Sequence, residues 1–149
     1  VWLHGLKDPG LQPDSVRLAS ADASFRRYFR VASGTGTRVI TDAPPDKEDC
    51  KPFVKVARLM REAGLNAPQI LDWDEAQGFM LLSDLGQRTL MQVLDPEGGL
   101  ANLPRFKQSL DVLLPWQQAS RGGVLPTGAG SACGLSSVWA CCKAENALW

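Results

Sequence analysis

The chain is predicted to fold as an α+β domain, a mainly antiparallel sheet crossed by one helix. Three observations carry that expectation. Five short β-prone segments are bunched within residues 16–83, and most are separated by turn residues rather than helices. A single helical run, 49–63, interrupts them with apolar side chains at helical spacing. The next long helical run comes only after a connector, so strands and helices do not alternate as a doubly wound parallel sheet requires.

The elements follow in chain order. VRLAS (16–20) and FRRYFRV (25–31) read as strands, and Ala21-Asp22-Ala23-Ser24 between them suits a turn. Gly34-Thr35-Gly36 turns the chain into a third strand, Arg38–Thr41, which Ala43-Pro44-Pro45 breaks. Asp46 or Asp49 caps the helix that follows, and Pro52 is tolerated in its first turn. Phe53, Val56, Ala57, Met60 and Ala63 mark its apolar face, and Gly64 fits the position just past its end. QILDW (69–73) and GFMLLS (78–83) read as a hairpin around residues 75–78. Asp84-Leu85-Gly86 is the connector, and a helix spans about 104–119 with Pro115 as a kink. Phe25, Phe29 and Val31 are expected to feed the core or a cleft, and Met60 and Trp73 the core.

Composition narrows the function classes. A chain of 149 residues with 44% hydrophobic and 21% charged residues is globular. Lys+Arg and Asp+Glu are 16 each, which argues against a nucleic-acid partner, since binders that track phosphates carry a basic excess. No apolar run reaches the roughly 18 residues of a membrane helix, and no signal peptide is recognisable, so a reduced, cytoplasmic protein is expected. No obligate protein partner is evident. Cys50, Cys133, Cys141 and Cys142 form no C-x-x-C pair and match no tetrahedral zinc pattern.

The stretch Phe25-Arg26-Arg27-Tyr28-Phe29-Arg30 is the most unusual feature. It is compatible with solvated strand arginines, with a single-strand nucleic-acid surface, and with the lip of a phosphate site. Strands joined by a small-residue loop, a crossing helix and a connector are what a nucleoside triphosphate needs: amides approaching the phosphates, a floor for the base, and backbone at the base edge.

SADASFRRYFRV (20–31), VITDAPPDKEDCKPFVKVARLMREAGL (39–65), APQIL (67–71) and QGFMLLSDLG (77–86) resemble the aminoglycoside phosphotransferase and choline kinase superfamily. Among its members they are most similar to bacterial kinases of the anomeric hydroxyl of N-acetylmuramate or N-acetylglucosamine. LLPWQQAS (113–120) matches more loosely, and the likeness covers about 16–126. It implies a protein-kinase-like small lobe over 1–83, and a hinge with the first helix of the large lobe over 84–126. It also implies ATP and Mg2+ as cofactors and a small-molecule sugar as acceptor. Ala21, Asp22, Ala23 and Ser24 would form the phosphate loop, and Ser83, Asp84 and Leu85 the interlobe hinge.

Two departures stand out. The third strand of relatives carries a phosphate-binding lysine, whereas VITDAPP has Thr41 and Asp42; either Arg26 or Arg27 substitutes, or Mg2+ carries the charge. The H-x-D-x-x-x-x-N catalytic run is absent: the single histidine is His4, and Arg61, Glu97 and Cys141 stand five residues before Asn66, Asn102 and Asn146. No catalytic residue is therefore assigned. Residues 127–149 hold only two charged side chains but three of the four cysteines. They are expected to be poorly ordered or packed without a core of their own, and a change of reading frame near Thr127 would account for them. Two functions stay open: the nucleotide-binding part of a sugar kinase, or a non-catalytic domain that binds a nucleotide or protein.

Overall fold

The computed structural model describes residues 2–121 except 7, 9, 22–24, 89 and 97. The expectation for 127–149 lies outside the described residues. Two compact units are present: Val1–Lys51 with Gln69–Asp84, and Pro52–Pro68 with the chain from Leu85 onward.

The first unit is one antiparallel sheet of β1 (Gln12–Ala21), β2 (Arg27–Ser33), β3 (Gly36–Asp42), β4 (Ile70–Asp74) and β5 (Phe79–Ser83), in the order β1-β2-β3-β5-β4. The expected β-β-β-α-β-β order stands, and the five-stranded antiparallel sheet with its helices is that of an α+β, kinase-like small lobe. Pairing is in register from Arg27↔Asp42 to Ser33↔Gly36 and from Arg38↔Ser83 to Asp42↔Phe79. β1 runs longer than its apolar core foretells, because irregularities in its pairing with β2 let it start at Gln12.

Strand alternation divides the sheet into two faces. Phe29, Val31, Ile40 and Leu81 share one face, where Trp2, Leu6 and Leu11 pack on them. Trp2, in a short 3-10 turn absent from the sequence reading, stacks on Phe79 with ring centroids 5.3 Å apart. Asp8 fastens this N-terminal strap by accepting bonds from the Gly10 amide and the Ser33 hydroxyl and pairing with Arg38 at 3.3 Å. The opposite face carries Tyr28, Val39, Thr41, Met80 and Leu82, all buried.

Turn chemistry holds the hairpins. Gly36 (φ 129°) and Gly78 (φ 75°) occupy backbone conformations that glycine tolerates best. Gly78 also accepts a bond from the Ala43 amide at 2.9 Å, and a Cβ there would lie 1.9 Å from the Ala43 carbonyl oxygen. The β4–β5 turn is thus pinned to the end of β3.

In the second unit, α1 (Lys51–Glu62) buries Phe53, Val54, Val56, Ala57 and Met60. Asp49 accepts a bond from the Lys51 amide at 2.9 Å, which is the expected capping role. The helix ends in a Schellman motif: Leu65 N–H donates to the Met60 carbonyl, Gly64 N–H to that of Arg61, and Gly64 has φ 78°. A four-residue helix, α2 (Leu90–Val93), was not foreseen; α3 (Leu103–Arg121) runs past Pro115.

Two expectations are corrected here. Phe25 is exposed, with the Lys47 ammonium 4.6 Å from its ring centroid, rather than in the core. Trp73 is half-buried. The strand ending at Ser83 buries its apolar residues, because Met80, Leu81 and Leu82 serve both faces of a central strand. Large exposed apolar side chains include Leu18, Leu71 and Leu100 and, along α3, Leu103, Phe106, Leu110, Leu113 and Leu114.

Candidate nucleotide site

Arg26, Tyr28 and Arg30 are buried while Arg27 is exposed, Phe29 half-buried and Val31 packed on the first face, so strand alternation turns all three to the second face of the sheet. Arg26 and Arg30 are therefore not solvated strand arginines. Arg26 pairs with Glu48 at 3.0 Å, with only 4% and 6% of the side chains exposed. A buried guanidinium survives only with such a partner. Glu48 sits just before α1 and was not singled out by the sequence reading. The run Asp46–Asp49, three acids and a lysine next to prolines, was its only sequence signal.

Arg27 differs. It points to the other face, is mostly exposed, and pairs with Asp42, its partner across the β2–β3 ladder. Its guanidinium also lies 5.9 Å from the Phe29 ring centroid. Of the two arginines nearest the loop, Arg26 alone combines burial with the second face. Ala21 closes β1 opposite Arg27, and Asp22, Ala23 and Ser24 lie outside the described residues.

Arg30 marks the other end of the strip. Its Nε donates to Asp84 Oδ2 at 2.7 Å and Nη2 to Oδ1 at 3.4 Å, while the Thr37 hydroxyl donates to Oδ2. Arg30 and Asp84 side chains are 10% and 5% exposed. The Asp84 carboxylate is thus turned inward and engaged. Ser83 is engaged as well: its amide donates to the Gln69 carbonyl at 2.9 Å, and its Oγ accepts from the Gln69 amide at 2.8 Å. Leu85, half-buried, begins the connector in the second unit.

Between the two charged ends lie Val39, Leu82, Met80, Tyr28 and Thr41. Thr41 is 1% exposed, and its hydroxyl has no hydrogen-bond partner among the described residues. An orphan buried hydroxyl is costly. Two clefts among the described residues, about 670 and 320 Å3, open on the opposite face beside the strap.

This lobe and strip define a class of protein. The chain matches the phosphotransferase enzyme family over residues 15–113, and it belongs to that family. Among characterised proteins it is similar to the N-acetylmuramate/N-acetylglucosamine kinase of Pseudomonas aeruginosa, 52% identical over 114 residues, or 76% of this chain and 33% of the relative. The kinase of the same name from Neisseria meningitidis serogroup B is 43% identical over 113 residues, 74% of this chain and 33% of the relative. That of Pseudomonas putida is 39% identical over 115 residues, 76% and 32%. The chain spans about one third of the length of these curated relatives.

Among the described residues no three His, Cys, Asp or Glu side chains converge. No helix among them is long and apolar enough to cross a membrane.

Proposed function

We propose that this chain is the nucleotide-binding part of an ATP-dependent amino-sugar phosphotransferase, with the catalytic groups supplied by sequence beyond the matched third of its relatives. The observation that carries the reading is the strip from Arg30 to Arg26. Arg26 immediately precedes β2, and four residues of extended chain at roughly 3.3 Å each set the two charged ends about 13 Å apart. The base lies toward Val39, Leu82 and the Ser83–Leu85 backbone; the phosphates lie toward the Ala21–Ser24 loop and Arg26.

In this reading Arg26 takes the charge role of a strand lysine, and Glu48 holds its guanidinium in place. Bound with Mg2+, the nucleotide supplies a transferable phosphoryl group whose charge the metal neutralises. Arg26 adds a fixed cation at low dielectric. Transfer to a sugar hydroxyl needs a group that orients the acceptor, and the H-x-D-x-x-x-x-N run that supplies it in the superfamily does not occur in these 149 residues.

The test is equilibrium binding of ATP and ADP to the 149-residue chain, followed by incubation with ATP, Mg2+ and N-acetylmuramate. Weak, saturable nucleotide binding with no sugar 1-phosphate is expected. Turnover above a no-protein blank would overturn the division of labour, and single-stranded DNA binding tighter than nucleotide binding at physiological salt would overturn the site. A non-catalytic binding domain predicts the same first result. The two part when the chain is joined to the remaining two-thirds of a relative: only the kinase reading predicts phosphorylated sugar.

A further inference from the structure

The geometry points to Arg30 and Thr37 as positioning residues that clamp the Asp84 carboxylate and thereby fix the backbone leaving β5; this rests on the nucleotide reading above. The Asp84 carboxylate is fully committed inward. A bidentate Arg30 holds it from β2, and the Thr37 hydroxyl holds it from β3. Arg30 and Thr37 come from adjacent strands on the same face, and Asp84 is the first residue past Ser83, where β5 ends. A planar guanidinium against a carboxylate fixes orientation as well as distance, and a second donor from another strand removes the remaining rotation.

The consequence is local. The Ser83 and Asp84 carbonyls are the groups nearest the base edge in the nucleotide reading, and a connector free to rotate would present them poorly. Holding the Asp84 side chain converts a flexible segment into a rigid rim before ligand arrives, which lowers the ordering penalty of binding. Neither residue touches the base in this account; both act through Asp84. The Ser83–Gln69 pair of bonds secures the preceding residue from the β4 side, so the rim is held from both flanks.

Thr37→Val is the chosen variant because it deletes one donor and leaves the buried Arg30–Asp84 pair intact. Hydrogen exchange of the Ser83–Arg88 segment is measured in the full chain, alongside affinities for adenosine, ADP and inorganic tripolyphosphate. Exchange in that segment is expected to rise about tenfold, with β2 and β3 amides unchanged. Adenosine and ADP affinities should fall by a similar factor while tripolyphosphate affinity stays the same. Thr37→Ser, which restores the hydroxyl, should recover both. Unchanged exchange in Thr37→Val overturns the clamp. Faster exchange with unchanged adenosine affinity overturns its role in positioning the base. If the wild-type chain binds none of the three probes, the nucleotide reading fails and takes the base-positioning role with it, while the exchange arm still decides the clamp.

Discussion

The sheet unit and helix α3 invert the usual arrangement of polar and apolar groups. On the second face of the sheet the charges are inside: Arg26, Glu48 and Arg30 are buried, and each is paired. On α3 the leucines are outside, with Leu103, Leu110 and Leu114 more than half exposed. A buried ion pair stabilises little compared with packed apolar groups, and an exposed apolar stripe stabilises nothing until covered. Both features are poor choices for stability and good ones for contact. In the nucleotide reading the buried Arg26 is the charge that serves the ligand, whereas the α3 leucines are simply left exposed.

The largest test of that contrast is the Arg26–Glu48 pair. Arg26→Ala leaves a buried carboxylate without this partner and should destabilise the chain by about 3–5 kcal/mol in denaturant unfolding. The double change Arg26→Met with Glu48→Leu should recover most of that loss yet abolish nucleotide binding. Recovered stability with retained ATP affinity would mean the pair is structural only.

A smaller effect, of opposite sign, is expected at Thr41. Replacing its orphan hydroxyl by the near-isosteric Thr41→Val should raise stability by about 1 kcal/mol. A drop in thermal midpoint would show that the hydroxyl is satisfied in solution.

On α3 the contrast predicts near silence in folding. Leu110→Gln with Leu114→Gln should shift stability by less than about 0.5 kcal/mol and reduce light scattering at high protein concentration. A large loss of stability would place these leucines in a core and dissolve the contrast.

The smallest effect concerns the surface pair Lys51–Glu75, 2.8 Å apart. The Glu75 carboxylate, by its hydrogen bond and then its charge, raises the Lys51 ammonium above the ordinary lysine value of 10.5. A raised pKa means a contribution that is whole below 10.5 and fades as pH climbs through the folded-state value. Thermal midpoints of wild type and Glu75→Gln should differ barely near neutrality and coincide at strongly alkaline pH. A gap that widens with pH would reverse the sign.

Much of this was legible in the order of residues. Turn and cap chemistry is local, so Gly34–Gly36, Asp49, Gly64 and Gly78 announced their bends, and period-2 and 3.6 patterns announced the strands and helices between them. The loop-flanking arginines were legible as a group, and Arg26 as one of two candidates. Which arginine faces inward was not, because neighbouring strand residues differ only in the face they take, and the pairing register sets that. Tertiary structure decided the partners: Glu48 lies 22 positions from Arg26, and Asp84 lies 54 positions from Arg30. Side chains so distant in sequence meet only through the sheet's register and crossings. The amino acids by themselves determined the elements and the charges available; the fold determined which charges left water, and with which partner.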